Sequence, residues 1–234
     1  MNDLTIYDTY AGAWWDDSVK WLRTLKAMVP ARMEYFERHV KDWRGKQVLD
    51  LGCAGGFMAE ALAHEGADVT GIDPAQDAIS AAREHAMSEG LAITYKTGRG
   101  EQIPLGEDSV DVVVCVDVLE HVDDLKATLD ETARVLKPGG LLLFDTLNRN
   151  AMSSLLAVTV AERIVGLLPR GTHDASMFIR PQELKVLLSD RNFIDIEFQG
   201  FGPVGVNRKL DFVFGRVPFT TIQYLGAARL AVRS

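Results

Sequence analysis

The sequence is poor in cysteine, has no excess of basic residues and does not begin with a long apolar run. Cys53 and Cys115 are its only cysteines, which favours two buried free thiols in a reducing compartment over a disulfide or redox pair. Residues 1–10 are polar and include Asp3 and Asp8, so we expect no secretory signal and a cytoplasmic location. Since no repeat, low-complexity run or long linker occurs, one domain is expected.

Charge and apolar content narrow the class of protein further. The 33 acidic and 25 basic residues give a formal net charge of −8. A nucleic-acid binder normally presents a basic face for phosphate neutralisation, so this function is disfavoured. The 47% hydrophobic content over 234 residues is enough for a single sizeable core.

The most informative segment is residues 48–56, VLDLGCAGG, followed by VTGID at residues 69–73. An apolar strand runs into a glycine turn, with Asp50 at the strand end. Asp73, twenty-one residues after Gly52, closes the next apolar strand. This spacing predicts an adenosine-binding βαβ unit, with Asp73 placed to accept ribose hydroxyls.

The positions of the glycines in this turn distinguish between classes of nucleoside cofactor. A dinucleotide fold places glycines at G-x-G-x-x-G, whereas this chain has Gly52, Ala54 and Phe57 at those positions. Gly55 and Gly56 are expected to leave room for a bulkier uncharged group, so the turn suits a ligand without phosphates. A nicotinamide-dependent oxidoreductase is disfavoured, and a glycine turn in some other α/β protein remains an alternative.

Apolar strand patterns alternate with helical ones along the chain. Strands are predicted at residues 47–51, 68–72, 93–96, 110–116, 141–146, 194–201 and 221–227, and helices at 58–65, 75–88 and 124–136. This alternation predicts a parallel sheet with right-handed crossovers. An aromatic, helix-like segment at residues 10–39 precedes the first strand. We expect it to break at Pro30 and to cap the cofactor pocket.

The turn at residues 48–56 resembles motif I of the class I S-adenosylmethionine-dependent methyltransferases, and KPGG at residues 137–140 before an apolar strand is similar to the same superfamily. The resemblance implies an α/β, Rossmann-like fold with a seven-stranded, mostly parallel sheet in the order 3-2-1-4-5-7-6. Gly52, Asp73 and Val116 would then converge at the topological switch point. The implied parts are an N-terminal helical cap (residues 1–45), a cofactor-binding core (46–147), a helical insertion (148–190) and C-terminal strands (191–234).

Three further segments carry a closer resemblance: CVDVLEHV at residues 115–122, TLNRN at 146–150 and GTHD at 171–174. Together they resemble the ubiquinone-biosynthesis O-methyltransferases of bacteria, over roughly residues 14–188. This resemblance implies S-adenosylmethionine-dependent methylation of a phenolic or catechol hydroxyl on a polyprenylated quinone precursor. It also implies partner proteins of the quinone pathway.

The resemblance assigns cofactor contacts to six residues. Gly52, Gly56 and Asp50 belong to the glycine turn, Asp73 meets the ribose, and Val116 lies near the adenine and methionine moieties. Arg32, in VPAR at residues 29–32, would bind the cofactor's carboxylate; the family has an asparagine where this chain has Val29. Glu101 and Gln102 are either contacts to the adenine edge or loop residues facing water.

The same resemblance suggests two sets of residues that could help to remove the proton from the acceptor's hydroxyl. Asp117, Glu120 and His121 match an acidic-x-x-Glu-His set that holds Mg²⁺ in eukaryotic relatives, with Glu120 and His121 also candidates for catalysis. Alternatively, Glu120 and His121 only shape the turn after the fourth strand. His173 is a second candidate for a base, or a loop histidine hydrogen-bonded to Asp174.

The segment from Ala151 to Leu168 has apolar residues at helical spacing and is too short for a transmembrane span. Four arginines and two acidic residues lie between Arg149 and Arg180. An apolar helix with flanking arginines predicts peripheral contact with an anionic membrane, where a polyprenyl tail would reside. An ordinary lid or core helix fits equally well. Methylation of a small soluble phenol and a non-catalytic quinone-pathway scaffold remain as other functions.

Overall fold

Apolar strand segments pair into one eight-stranded sheet at the centre of the computed structural model, which describes residues 5–153 and 175–232. The strands are β1 (Gln47–Leu51), β2 (Asp68–Asp73), β3 (Thr94–Thr97), β4 (Val110–Cys115), β5 (Leu136–Leu147), β6 (Phe193–Val206), β7 (Phe212–Val217) and β8 (Gln223–Leu230). Their spatial order is β3-β2-β1-β4-β5-β8-β6-β7. The predicted class of fold is confirmed.

The first five strands are parallel, and the last three add antiparallel pairs. Strand β8 inserts between β5 and β6, with Leu143 opposite Ala227 in the β5–β8 ladder. It therefore occupies the predicted place of the seventh strand. The prediction of seven strands is wrong by one, because Phe212–Val217 forms an additional edge strand on β6.

Helices cover both faces of the sheet. They are α1 (Thr5–Thr9), α2 (Lys20–Phe36), α3 (Phe57–His64), α4 (Gln76–Ser88), α5 (Leu125–Val135), α6 (Ala151–Ser153) and α7 (Pro181–Ser189), with 3₁₀ turns at Ala11–Ala13 and Ala175–Met177. Helices α2, α3 and α4 contribute Phe36, Leu62 and Ile79 to one core cluster. Helices α5 and α7 contribute Leu129 and Leu184 to the other, so the sheet is the middle of three layers.

The predicted break at Pro30 is wrong. Helix α2 runs through this proline without interruption. Proline removes one backbone hydrogen bond from a helix interior, at a cost of roughly 3 kcal/mol. The burial of Trp21, Leu22 and Phe36 on the packed side of the same helix offsets that loss.

The N-terminal aromatic residues pack on the loop that follows β1. Trp14, Trp21 and Phe57 form a separate apolar cluster with Leu22. The Trp15 ring stacks on His85 of α4, with ring centroids 3.6 Å apart, and its indole N–H donates to the carbonyl of Gly55 at 3.0 Å. The segment is thereby held between α3 and α4.

The Asn-Arg-Asn signature fastens the end of β5 to the start of β8. The amide groups of Asn148 and Asn150 donate to the backbone carbonyls of Thr220 and Thr221, at 2.7 and 2.6 Å. Arg149 forms an ion pair with Glu183 of α7. The signature therefore fixes where the chain leaves the sheet before the insertion. Most of the segment from Ala151 to Leu168, and His173, lie outside the described residues.

Both cysteines are buried free thiols, as expected. Within residues 5–153 and 175–232, no helix is long and apolar enough to cross a membrane.

Candidate active site

The loop from β1 to α3 needs glycine because its backbone enters the left-handed region. The φ angles are +75° at Gly52, +42° at Ala54 and +95° at Gly56. A Cβ at Gly52 would lie 2.1 Å from Cγ2 of Val118, so the β4 loop closes directly over this turn. Glycine at residue 52 thus provides both the left-handed turn and the close approach of the two loops.

The space expected beside Gly55 and Gly56 is already filled by the protein. A Cβ at Gly55 would lie 2.0 Å from the Trp14 ring, and one at Gly56 would lie 2.5 Å from the Tyr95 hydroxyl. These glycines therefore admit aromatic side chains of the protein itself. Gly56 caps α3 and is not among the residues that line the adjacent cavity.

A cavity of about 320 Å³ lies at the carboxyl ends of β1, β2 and β4. Five of the six predicted cofactor contacts line it, namely Arg32, Asp50, Gly52, Asp73 and Val116. The structure thus brings the glycine turn, the β2 carboxylate and the end of β4 to one place. This is the topological switch point, where ligands bind in open α/β sheets.

Asp73 is anchored by backbone amides and still faces the cavity. Its two carboxylate oxygens accept the N–H groups of Ala54 at 2.9 Å and Ala75 at 2.8 Å. Burial raises the pKa of Asp73 to about 6. Each oxygen retains acceptor capacity, so the carboxylate suits a pair of ribose hydroxyls.

Asp50 is a fully buried carboxyl group on the cavity wall. Neither of its oxygens has a partner at hydrogen-bond geometry among the described residues. Burial raises its pKa to about 7 and the nearby Asp73 adds to the shift, whereas the Ala59 backbone N–H and the Arg32 charge oppose it. A buried carboxylate that forms no ion pair among these residues fits a positively charged ligand in the cavity, which would stabilise its ionised form.

Arg32 enters the same wall from α2 and is 3% exposed. Its Nε donates to Oδ2 of Asp145 at 2.7 Å, and its Nη2 pairs with Asp117. Burial opposes ionisation, but Asp117 and Asp145 outweigh it, so the pKa of Arg32 is raised. Because Nη1 takes no part in these two ion pairs, the guanidinium can also bind a ligand carboxylate.

The predicted magnesium site is not supported by the geometry. The Asp117 carboxylate binds Arg32 and also accepts from Gln223 at 3.0 Å, while Glu120 is buried and accepts from the Thr146 hydroxyl at 2.7 Å. Among the residues that the structure describes, no group of three His, Cys, Asp or Glu side chains is placed to hold a metal ion. Asp117, Glu120 and His121 do not fit Mg²⁺, because Arg32 and Gln223 already engage the Asp117 carboxylate and Thr146 engages that of Glu120.

The candidate catalytic groups separate by position. His121 lines the cavity together with Asp117, whereas Glu120 is not among the lining residues. Burial raises the pKa of Glu120 to about 8, with Asp117 contributing further. Glu120 thus lies behind the wall, and among the residues that the structure describes His121 is the imidazole that lines the cavity.

The adenine-edge candidates also separate. Glu101 lines the cavity, and its carboxylate accepts the Asp123 N–H at 2.9 Å. Gln102 forms an isolated bridge with Arg99 and does not line the cavity.

Several wall residues were not foreseen individually. Tyr7 and Asp8 of α1 line the cavity, and Asp8 accepts the N–H of Asp77 at 2.9 Å. Burial, with Asp117 next, raises the pKa of Tyr7. Behind the wall lie Asp145 and Gln223, whose only sequence signal is a polar residue within an apolar strand pattern.

Comparison with known proteins agrees with this geometry. The family described as "Methyltransferase domain" matches residues 49–144. The "Ubiquinone biosynthesis O-methyltransferase" of Idiomarina loihiensis is 39% identical over 205 residues, covering 86% of this chain and 84% of the relative. The protein of the same name from Methylococcus capsulatus is 35% identical over 233 residues, covering 98% of this chain and 94% of its own.

Solved structures share the fold at low identity. A methyltransferase of Thermotoga maritima, described as S-adenosylmethionine-dependent and a possible histamine N-methyltransferase, superposes with a TM-score of 0.69 at 16% identity. The match covers 97% of this chain and all of that one. A methyltransferase from Aquifex aeolicus gives a TM-score of 0.63 at 19% identity, covering 96% and 98% of the two chains.

Proposed function

Because the chain belongs to the ubiquinone biosynthesis O-methyltransferases, we propose that it methylates a phenolic or catechol hydroxyl of a polyprenylated quinone precursor. S-adenosylmethionine is the methyl donor of this methyltransferase fold. The observation that carries the proposal is similarity over nearly the whole chain, combined with a cavity whose wall holds an unpartnered, buried Asp50. The nicotinamide alternative is set aside, since the family is one of methyltransferases.

We assign the cofactor contacts as follows. Asp73 accepts the ribose hydroxyls, and the Nη1 group of Arg32 binds the amino-acid carboxylate. Asp50 faces the positive charge of the cofactor, because both of its buried carboxylate oxygens lack a hydrogen-bond partner among the described residues. Gly52 and Val116 line the same cavity and set its depth, whereas Gly56 supports the turn from behind.

The donor supplies an activated methyl group, and the chain supplies alignment and exclusion of water. Tyr7 and Trp14 line the cavity, which supports the proposal that the N-terminal part (residues 1–45) acts as its cap. Asp117 and His121 lie at the acceptor side, where a ring nitrogen of His121 accepts the hydroxyl proton. A phenol has a pKa of about 10, so this acceptance assists transfer near neutral pH. Glu120 supports Thr146 instead, and His173 is the alternative base.

We further propose that the segment from Ala151 to Leu168 contacts anionic lipid, so that the prenyl tail stays in the bilayer while the ring enters the cavity. The exposed Met152 lies next to the β8 anchor formed by Asn150. Flotation with anionic vesicles tests this, using Leu155→Asp and Leu167→Asp as disrupting variants. Failure of the unsubstituted protein to float removes the membrane contact. Partner proteins of the pathway remain part of the proposal.

The deciding experiment measures methyl transfer from labelled S-adenosylmethionine to a short-chain polyprenyl catechol and to a simple catechol, each with and without EDTA. We expect strong preference for the prenylated acceptor and no loss in EDTA, because Asp117 and Glu120 are engaged by protein partners. Equal rates indicate a soluble phenol as acceptor. No transfer to either, with S-adenosylhomocysteine still bound, indicates a different acceptor or a scaffold.

The base is assigned by comparing His121→Ala with His173→Ala. We expect the first to lower kcat and to remove the acidic limb of its pH profile, and the second to leave that limb in place. The reverse result assigns the base to His173.

A further inference from the structure

Asp145 is a charged residue in the middle of an otherwise apolar part of β5. It is not exposed to solvent, and its neighbours Leu143 and Phe144 are core residues. Its Oδ1 accepts the backbone N–H of Asp117 at 2.7 Å, and its Oδ2 accepts from Nε of Arg32 at 2.7 Å. Asp145 therefore touches two wall residues of the cavity while not lining the cavity itself.

Gln223, the first residue of β8, completes the group. Its Nε2 donates to Oδ1 of Asp117 at 3.0 Å and lies 3.4 Å from Oδ2 of Asp145. We call Arg32, Asp117, Asp145 and Gln223 the Arg32 network. The network joins α2 to the ends of β4, β5 and β8.

The network fixes an unusual backbone conformation as well as side chains. Asp117 has a φ angle of +53°, which L-residues other than glycine rarely adopt. The hydrogen bond from its N–H to Asp145 holds that conformation and aims the Asp117 carboxylate between Arg32 and Gln223. Arg32 and Asp117 both still line the cavity in this arrangement.

Stability alone does not account for this arrangement. Two carboxylates share one buried guanidinium; Asp145 is fully buried with it, and burial raises the pKa of Asp145 to about 7 in spite of Arg32. When such buried ionic groups are replaced by apolar residues of similar volume, the protein often loses no stability. A costly polar group at a ligand cavity is characteristic of a functional site.

We infer that Asp145 and Gln223 are positioning residues for methyl transfer. Asp145 orients Arg32 toward the cofactor's carboxylate, and Gln223 orients the Asp117 carboxylate toward the hydroxyl of the acceptor. The inference rests on the proposed function. We call Asp145 with Arg32 the cofactor arm of the network, and Gln223 with Asp117 the acceptor arm.

The cofactor arm is tested by calorimetric binding of S-adenosylhomocysteine to the full chain, which requires no turnover. Asp145→Asn is expected to raise the Kd at least about tenfold, since a small misorientation of a binding group is costly. Asp111→Asn is the matched control, because Asp111 lies on neighbouring β4 but pairs with Lys137 at the opposite end of the sheet. It should leave the Kd within about twofold of the original value. Unfolding by circular dichroism verifies that each variant is folded.

A double-substitution cycle separates positioning from a general structural role. Arg32→Lys keeps the charge but loses the guanidinium fork, so it should weaken binding by itself. If Asp145 acts through Arg32, adding Asp145→Asn to Arg32→Lys changes the Kd by less than about threefold. Effects that multiply overturn the assignment of Asp145.

The acceptor arm is tested with Gln223→Leu. We expect an unchanged Kd for S-adenosylhomocysteine and at least about fivefold weaker binding of a catechol to the S-adenosylhomocysteine-loaded protein. Gln199→Leu, which removes an amide bonded to the β7 carbonyl of Val217, is the control. Equal loss of both ligands, or loss of neither, overturns the assignment of Gln223. If the original protein binds cofactor but methylates no catechol, the proposed function fails, while the Asp145 result still stands or falls on calorimetry.

Should Asp145→Asn fail to fold, Asp145→Ser takes its place in both tests. This variant removes the carboxylate and leaves space for water beside Arg32.

Discussion

The two ends of the parallel sheet contain similar charged groups in different surroundings. At the amino end of β4, Asp111 accepts the N–H of Gln47 at 2.8 Å and pairs with Lys137 at 3.0 Å. At the carboxyl end, Asp145 likewise accepts one backbone N–H and binds one cation, Arg32. The difference is burial, since the side chain of Asp111 is 28% exposed and that of Asp145 is not exposed.

The pKa values of the two aspartates respond in opposite directions. Partial burial raises the pKa of Asp111, but the Gln47 amide and Lys137 together outweigh it, and the net pKa is lowered. Burial outweighs Arg32 at Asp145, and the pKa is raised to about 7. Similar partners thus stabilise ionised Asp111 at one end of the sheet. At the other end, where the cavity lies, they do not fully offset the free-energy cost of burying ionised Asp145.

The largest test of this contrast removes the cation at each end. Arg32→Ala leaves Asp145 and Asp117 without their cation, so the unfolding free energy at pH 8 should fall by about 3–5 kcal/mol. Lys137→Ala removes the cation of a partly solvated ion pair and should lower the unfolding free energy by less than about 1 kcal/mol. Urea unfolding of both variants measures the difference. Equal losses would mean that burial does not distinguish the two ends.

A second test concerns Asp50, the unpartnered carboxyl group. Its pKa in the folded state, about 7, lies above the ordinary value of 3.8, so the folded state binds the proton more tightly than the unfolded state. The resulting stabilisation is present below pH 3.8 and is lost as the pH rises through 7. Asp50→Asn should therefore raise the unfolding free energy at pH 8 by up to about 4 kcal/mol and weaken binding of S-adenosylmethionine.

Chemical unfolding from pH 5 to pH 8 checks this prediction. The stability of the original protein should fall across that range, and the fall should be smaller in the variant. A variant that is less stable than the original protein at pH 8 contradicts it.

A third test compares glycines at the two ends. Gly55→Ala forces the Trp14 ring to move from a position 2.0 Å from the new Cβ, which should cost about 1–3 kcal/mol and loosen the N-terminal cap. Gly106, just before β4, has no atom within 4 Å of its Cβ position, so Gly106→Ala should change stability by less than about 1 kcal/mol. Thermal unfolding followed by tryptophan fluorescence measures both. Comparable shifts would show that Trp14 does not pack against the glycine turn.

The smallest expected effect is that of Asp111→Asn. Because the pKa of Asp111 is lowered on folding, its stabilisation is present above the ordinary pKa and is lost as the pH falls. Removing this carboxylate should cost up to about 1 kcal/mol at pH 8 and less at pH 3. This pH dependence is opposite in sign to that of Asp50, and acid titration of the unfolding transition compares them.

Local patterns were sufficient to place the strands in the parallel half of the molecule. Apolar runs bounded by glycine marked β1 and β2, and the strand–helix alternation predicted a parallel sheet, whereas the strand order was implied by the resemblance to the class I methyltransferases. The convergence of Gly52, Asp73 and Val116 followed from the rule that parallel strands end at one edge. The strand positions needed only neighbouring residues, and the convergence needed the implied strand order together with a general rule of topology.

Non-local contacts account for what the sequence did not reveal. Strand β6 continues to Val206 through Gly202, Pro203 and Gly205, residues that disfavour strands, because β7 pairs with it. The helix through Pro30 is likewise maintained by tertiary packing. Gln223 binds Asp117 across 106 positions of sequence, a contact that no local pattern encodes. The acceptor side of the site, which depends on such contacts, was therefore the least predictable part.

The insertion of β8 between β5 and β6 imposes an order on the assembly of the sheet while the chain is being synthesised. In the sheet order, β6 and β7 reach the other strands only through β8, which is made after both of them. A nascent chain on the ribosome can assemble β1 to β5 early, but its β6–β7 hairpin has no strand to join until β8 has emerged. Phe201 of β6, whose ring lies under the Arg32 guanidinium, can reach that position only after β8 has paired. The hydrogen bond from Gln223 to Asp117 at the cavity wall is thus formed last, and the edge of β5 stays open until β8 pairs with it.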